Sequence, residues 1–260
     1  MGIVLLTALG VGGATVIGAL AGFLFRNVSH RVRDIILAFA AGVMLAAAVI
    51  GLILPSIELG GEFSIIGEFS IIVTVVGILL GAVALSLLDK LVPHLHLLAG
   101  TDIEGRNASA EQNKILLFVL AIAIHNLPEG IAAGVGFGGA DVTNDMTNAF
   151  LIAGGIALQN IPEGMVIIAP MLATGMSKRR TFLIATMTGV VEVVGTLFGY
   201  YAVQIAEVIL PFSLAFAGGT MLYVISDEMI PETHAHGAER GATYALLIGF
   251  CLMLVFDFIL

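Results

Sequence analysis

Long apolar runs, interrupted by short polar punctuation, follow one another along the whole chain. They lie near residues 2–25, 35–55, 70–92, 114–136, 148–172, 181–205, 210–231 and 243–260. Each is close to the ~20 residues that an α-helix needs to cross a hydrocarbon core about 30 Å thick. The pattern therefore predicts an all-α polytopic membrane protein with eight transmembrane helices. A transmembrane β-barrel would instead show alternating segments of about ten residues. The first run is apolar from Gly2 onward, with no basic segment before it and no small-residue cleavage site, and reads as the first span.

Composition removes the soluble alternatives. Of 260 residues, 59% are hydrophobic and 11% charged, and the mean hydropathy is +1.09, far from an average globular chain. Residues 1–260 form a single transmembrane domain, with a polar cytoplasmic connection at about 93–113 as the longest segment outside the spans. The 32 glycines and the absence of tryptophan suit close-packed membrane helices. The one cysteine, Cys251, sits among apolar neighbours and supports neither a disulfide framework nor a cysteine metal centre.

Charge sets the orientation. Arg26, Arg31 and Arg33 fall at the first connection, Lys90, Arg106 and Lys114 at the third, Lys178, Arg179 and Arg180 in the fifth, and Arg240 in the seventh. The even connections carry acids: Glu58, Glu62 and Glu68, then Asp141 and Asp145, then Glu207. The positive-inside rule puts the odd connections in the cytoplasm and both termini outside, in a cell membrane. Orientation thus accounts for the basic residues, so the net charge of −9 does not point to nucleic acid.

Ionisable groups inside spans each cost about 2.5–3.5 kcal/mol on insertion scales and require a partner, water or a function. Span four contains His125-Asn126-Leu127-Pro128-Glu129-Gly130, and span five contains Gln159-Asn160-Ile161-Pro162-Glu163-Gly164. In each copy the polar residues are three and four apart and share one helical face. Each glutamate lies about 22 Å along its helix, near mid-membrane. Pro128 and Pro162 are expected to kink their helices and free carbonyls beside the polar cluster. Spans four and five run in opposite directions, as expected for an inverted repeat with its site at the repeat interface. Span six adds Glu192. Three buried anions repel one another unless neutralised, and a divalent cation suits this mixture of nitrogen and oxygen donors. The competing reading has the prolines shaping the helices and the polar groups bonding helix to helix.

The two hexapeptides resemble the signature of helices four and five in the ZIP (Zrt/Irt-like) family of divalent metal transporters, closest to its compact bacterial GufA-like branch. Span number, termini and the long third connection are similar as well, so the resemblance covers essentially the whole chain. It implies transport of Zn²⁺, with Fe²⁺, Mn²⁺ and Cd²⁺ as further candidates, into the cytoplasm by alternating access, with one or two ions held mid-membrane. His125, Glu129, Gln159, Glu163 and Glu192 match its first site, and Asn126, Glu129, Asn160, Glu163 and Glu192 its second. Met44 matches a methionine that lines the first site in some members, or is a core residue. Asp89, His94, Asp227 and Glu228 resemble the family's inner exit region, or are helix ends meeting water. Asn160 replaces an aspartate of some members, which takes a negative charge from the second site and makes it weaker or regulatory; Gln159 replaces a histidine, which makes the site more oxygen-rich and relaxes zinc selectivity toward iron, manganese or cadmium.

Asp257, near the outer end of span eight, is a candidate for attracting ions at the entrance. His94 and His96 make the third connection a candidate metal collector, or a solvated linker. Expected partners are the metal ion, the lipid bilayer and, through small-residue stretches such as Gly189 to Gly199, a second copy of the chain in a homodimer. No enzymatic activity is expected. An intramembrane metalloprotease would need His-Glu-x-x-His or an equivalent, and no second intramembrane histidine exists. A proton-coupled carrier of another solute would also use buried acids, but no Lys or Arg sits inside a span to take an anion.

Overall fold

The computed structural model describes residues 1–25, 29–63, 70–91, 108–144, 146–173, 175–235, 237 and 239–259; for 61–63, 70, 89–91, 108–122 and 170 the backbone alone is described. Every regular element among them is helical. The helices are α1 (Gly2–Leu24), α2 (His30–Ala46), α3 (Leu54–Phe63), α4 (Ser70–Leu91), α5 (Ala108–Thr143), α6 (Thr147–Val166), α7 (Ile168–Ala173), α8 (Lys178–Ile205), α9 (Leu210–Val224), α10 (Ile230–Thr233) and α11 (Glu239–Ile259). Serine caps open two of them: Ser29 accepts from Val32 N at α2 and Ser177 from Arg180 N at α8.

Among the described residues seven helical segments are long and apolar enough to cross a membrane: Gly2–Leu24, His30–Gly60, Ile71–Leu88, Thr147–Ala173, Lys178–Ile205, Glu207–Thr233 and Glu239–Ile259. The remaining predicted span, 114–136, falls inside α5, a continuous helix of 36 residues. The outward faces carry large apolar side chains, among them Leu6, Leu79, Phe198, Tyr244 and Ile248. A helix apolar on its outer face as well as its inner one is placed in lipid, not water. The chain is a multi-pass membrane protein.

Two spans contain a π-helical stretch, Ala47–Ile53 between α2 and α3 and Ile225–Met229 between α9 and α10. A proline follows each, Pro55 and Pro231. Proline donates no N–H, so the helix must rearrange on the turn before it. Pro55 leaves the Gly51 carbonyl without its helical donor, and the Asn148 amide of α6 takes it at 3.0 Å. By contrast α5 and α6 stay helical through Pro128 and Pro162.

Packing is set by small residues and obeys an internal symmetry. A Cβ on Gly18 would strike the Ile161 carbonyl and one on Gly195 the Leu127 carbonyl; Gly22 faces Met165 in the same way that Gly199 faces Ile131. Gly12 and Gly189 face each other. So α1 lies on α6 as α8 lies on α5, and α1 meets α8 at the axis. The remaining spans repeat the arrangement: Gly42 meets Leu246 and Gly249 meets Phe39, as Gly219 meets Ile78 and Gly81 meets Phe216. This pairs α2 with α11 and α9 with α4. Met1 near Tyr201, with Sδ 3.8 Å from the hydroxyl, makes α1 and α8 antiparallel, so the repeat is inverted. The π stretches occupy matched positions in α2–α3 and α9–α10. The result is a four-helix unit of α1, α5, α6 and α8 against which the other spans pack, mainly through α2 on α6 and α9 on α5.

Candidate metal centre

The last residue of each hexapeptide places the other five. Gly130 brings α5 against the backbone of α8 at Glu192, and Gly164 brings α6 against the backbone of α1 at Thr15. In both contacts any side chain would strike a carbonyl, so glycine is what lets the Asn-x-Pro-Glu turn lie at the centre of the four-helix unit.

Inside that unit Glu192 is fully buried, and Thr15, Asn126, Glu129, Gln159 and Asn160 are at most 1% exposed. Glu192 receives three donors. The Thr15 hydroxyl donates to Oε1 at 2.6 Å, the Asn126 amide donates to the same oxygen, and the Asn160 amide donates to Oε2 at 2.5 Å. Asn160 also donates to the Val11 carbonyl, at 3.3 Å, and accepts from Gln159 Nε2 at 2.6 Å. Four helices are tied at one carboxylate.

What remains open in this lattice is of one kind. Asn126 Oδ1, Glu129 Oε2 and Gln159 Oε1 are buried without a hydrogen-bond donor. Buried acceptors without donors are costly, commonly 1–3 kcal/mol each. Glu129 lies within electrostatic reach of both Glu163 and Glu192. Glu163 in turn is within reach of His125 and Glu228. Open oxygens and mutually repelling carboxylates are what a cation relieves. As the side chains stand, no group of three His, Cys, Asp or Glu among the described residues is placed to grip one ion. Closure on a cation therefore requires the amides of Asn126 and Gln159, or side-chain movement.

The sequence-expected residues thus separate. Asn126, Glu129, Gln159, Asn160 and Glu192 are buried together at the centre of the four-helix unit, whereas His125 and Glu163 are partly exposed, Glu163 within electrostatic reach of Glu129, Glu192 and His125. Glu228, expected with the exit group, is instead at the edge of this cluster: its Oε1 lies 2.8 Å from His125 Nε2. It reaches there because it sits in the π stretch, whose extra residue turns the face of the helix. Asp227 beside it is exposed. Met44 is buried in the main apolar core together with Met221, and Asp257 is exposed near the end of α11. The Asp89 side chain, His94 and the His94/His96 connection lie outside the described residues.

Thr15 was not anticipated; one threonine in an apolar span carries no motif. The inverted repeat beyond spans four and five does leave a trace in the sequence, as Phe39-Ala-Ala-Gly-Val-Met-Leu45 against Phe216-Ala-Gly-Gly-Thr-Met-Leu222 and as the glycine spacing 12, 18, 22 against 189, 195, 199.

The family model described as ZIP zinc transporter matches residues 99–257. The zinc transporter GufA of Myxococcus xanthus is 40% identical over 99% of this chain and 98% of that protein. Zinc transporter ZIPB of Bordetella bronchiseptica is 37% identical over 94% of this chain and 77% of its own length, and human zinc transporter ZIP11 is 33% identical over 94% and 93%. With this span of identity and the paired hexapeptides at its core, the chain belongs to the ZIP zinc transporter family.

Proposed function

We propose that this protein moves Zn²⁺ into the cytoplasm through the centre described above. The observation that carries the reading is the convergence of Glu129, Glu163 and Glu192 from three helices, with buried oxygens open beside them. Membership in a family of transporters supports cation transport over peptide cleavage or carriage of another solute. Zinc is the ion named in the three relatives.

His125, Glu129, Gln159, Glu163 and Glu192 form a first ion position, lined on one side by Met44; Asn126, Glu129, Asn160, Glu163 and Glu192 form a second. The shared carboxylates bridge the two. Several charged ligands bind too tightly for an open pore, which favours alternating access, with one helix group rocking against the other. The helix packing supports that division, since α1, α5, α6 and α8 are knitted through glycine contacts. Pro128 and Pro162 kink the helices on either side of the ions. The chain crosses a cell membrane eight times, α5 supplying the fourth crossing, with both termini outside. Asp257 attracts ions at the outer side; Glu228, Asp227, Asp89 and His94 receive them at the inner. Gly189, Gly195 and Gly199 pack against α1 and α5 within the chain, so they leave no small-residue surface on α8 for the homodimer expected from them.

Zn²⁺ flux into liposomes holding the purified protein tests the reading. Glu163→Ala and Glu129→Ala are expected to abolish flux nearly completely; flux at the wild-type rate in Glu163→Ala refutes the site.

A further inference from the structure

We propose that Thr15 is a positioning residue for the second ion position, fixing Glu192 through a hydroxyl that stays in place while the other donors exchange. The inference rests on the metal centre proposed above and assigns a part in it to α1, which carries none of its ligands.

The inverted repeat makes α1 the mate of α8, and Thr15 occupies the position that Glu192 occupies in α8, 177 residues on. The two meet across the axis. Thr15 is 1% exposed, and its Oγ1 lies 2.6 Å from Glu192 Oε1. One turn earlier on the same face, the Val11 carbonyl accepts from Asn160. Helix α1 thus presents a donor to one ligand of the second position and an acceptor to another.

The three donors on Glu192 differ in what a cation can do to them. Asn126 and Asn160 are amides and can turn an oxygen toward an ion; Asn126 Oδ1 is already without a donor. When they turn, Glu192 exchanges two amide donors for the cation. A threonine hydroxyl remains a donor. It retains Oε1 and leaves Oε2 to face the ion, so the carboxylate enters the site with one oxygen already directed. Without that hydroxyl Glu192 has no fixed partner on the α1 side, and the second position loses its preorganised ligand.

The test is calorimetric titration of full-length detergent-solubilised protein with Zn²⁺, with thermal melting recorded for each variant. The wild type is expected to take two ions. Thr15→Val is expected to weaken the second binding step about tenfold or more, with a smaller loss at the first, which shares Glu192. Thr15→Ser, which keeps the hydroxyl, is expected to restore the wild-type curve. Equal binding by Thr15→Val and wild type overturns the proposal, as does failure of Thr15→Ser to rescue, or a wild type that takes one ion.

Should Thr15→Val melt too low to titrate, the comparison moves to the Glu192→Gln background. There Thr15→Val is expected to add no further loss of binding; an additive loss places its effect elsewhere and overturns the proposal. Glu129→Ala separates the two readings. If it still binds two ions as the wild type does, the metal centre itself is wrong, whatever Thr15 does.

Discussion

His125 of α5 and Glu228 of the π stretch Ile225–Met229 meet at 2.8 Å, Nε2 to Oε1, across the boundary between the four-helix unit and the helices packed on it. The imidazole nitrogen that would hold an ion in the proposed centre is thus already in contact with a carboxylate oxygen of a neighbouring span. In the proposed transport an ion leaving His125 would pass to Glu228 by exchanging one ligand for another. Glu228→Ala is therefore expected to lower the maximal rate of Zn²⁺ flux about tenfold, with little change in the concentration giving half that rate. Glu228→Asp should recover part of the loss. Initial-rate measurements over a range of Zn²⁺ in liposomes check both; a raised half-saturating concentration with an unaltered maximal rate would make Glu228 a binding ligand instead.

The same residue shows where sequence stops being legible. Paired hexapeptides, span edges and the charge asymmetry follow from composition and spacing, because membrane insertion depends on runs of apolar residues and little else. Glu228 was readable as an acid near a helix end, yet its direction depends on a π turn before Pro231, which rotates the helix by one residue. Thr15 depends on a long-range meeting of α1 with α8, and no local pattern encodes that. The glycine spacing shared by those two helices does encode their crossing. It becomes interpretable once Gly12 and Gly189 are seen face to face.

Acid should oppose the proposed transport. In the proposed centre His125 and the three glutamates would bind the cation through the lone pairs that also take protons, so binding would release protons and apparent affinity would fall as pH falls. By linkage the loss is about tenfold per pH unit for each proton released. Zn²⁺ titrations at several pH values between about 5.5 and 7.5 measure the slope; a flat profile would mean that none of these groups gives up a proton to the ion.

Two substitutions of the same kind should have opposite signs. Gly130→Ala places a methyl group against the Glu192 carbonyl on backbone that cannot move aside, so it should destabilise the protein by roughly 1–3 kcal/mol and impair ion binding by pushing α5 from α8. Gly154, also in a helix interior, has nothing within 4 Å of its added Cβ. Gly154→Ala should stabilise by about 0.5–1 kcal/mol through backbone entropy alone. Thermal melting in detergent distinguishes the two, and equal shifts would contradict the packing.

Gln159 is the mate of His125 in the paired hexapeptides, fully buried, with Nε2 donating to Asn160 and Oε1 open. A histidine there can keep the donor by placing Nδ1–H toward Asn160, which frees Nε2 for the ion. Exchanging an amide oxygen for an imidazole nitrogen favours Zn²⁺ over Mn²⁺, since the softer donor gains more with the later metal. Gln159→His is thus expected to raise the excess of Mn²⁺ needed to halve Zn²⁺ uptake by about tenfold, with Zn²⁺ uptake itself retained. Competition uptake in liposomes reads the ratio directly. An unchanged ratio would mean that residue 159 hydrogen-bonds within the lattice and never faces the ion, and the first position would then draw its selectivity from His125 alone.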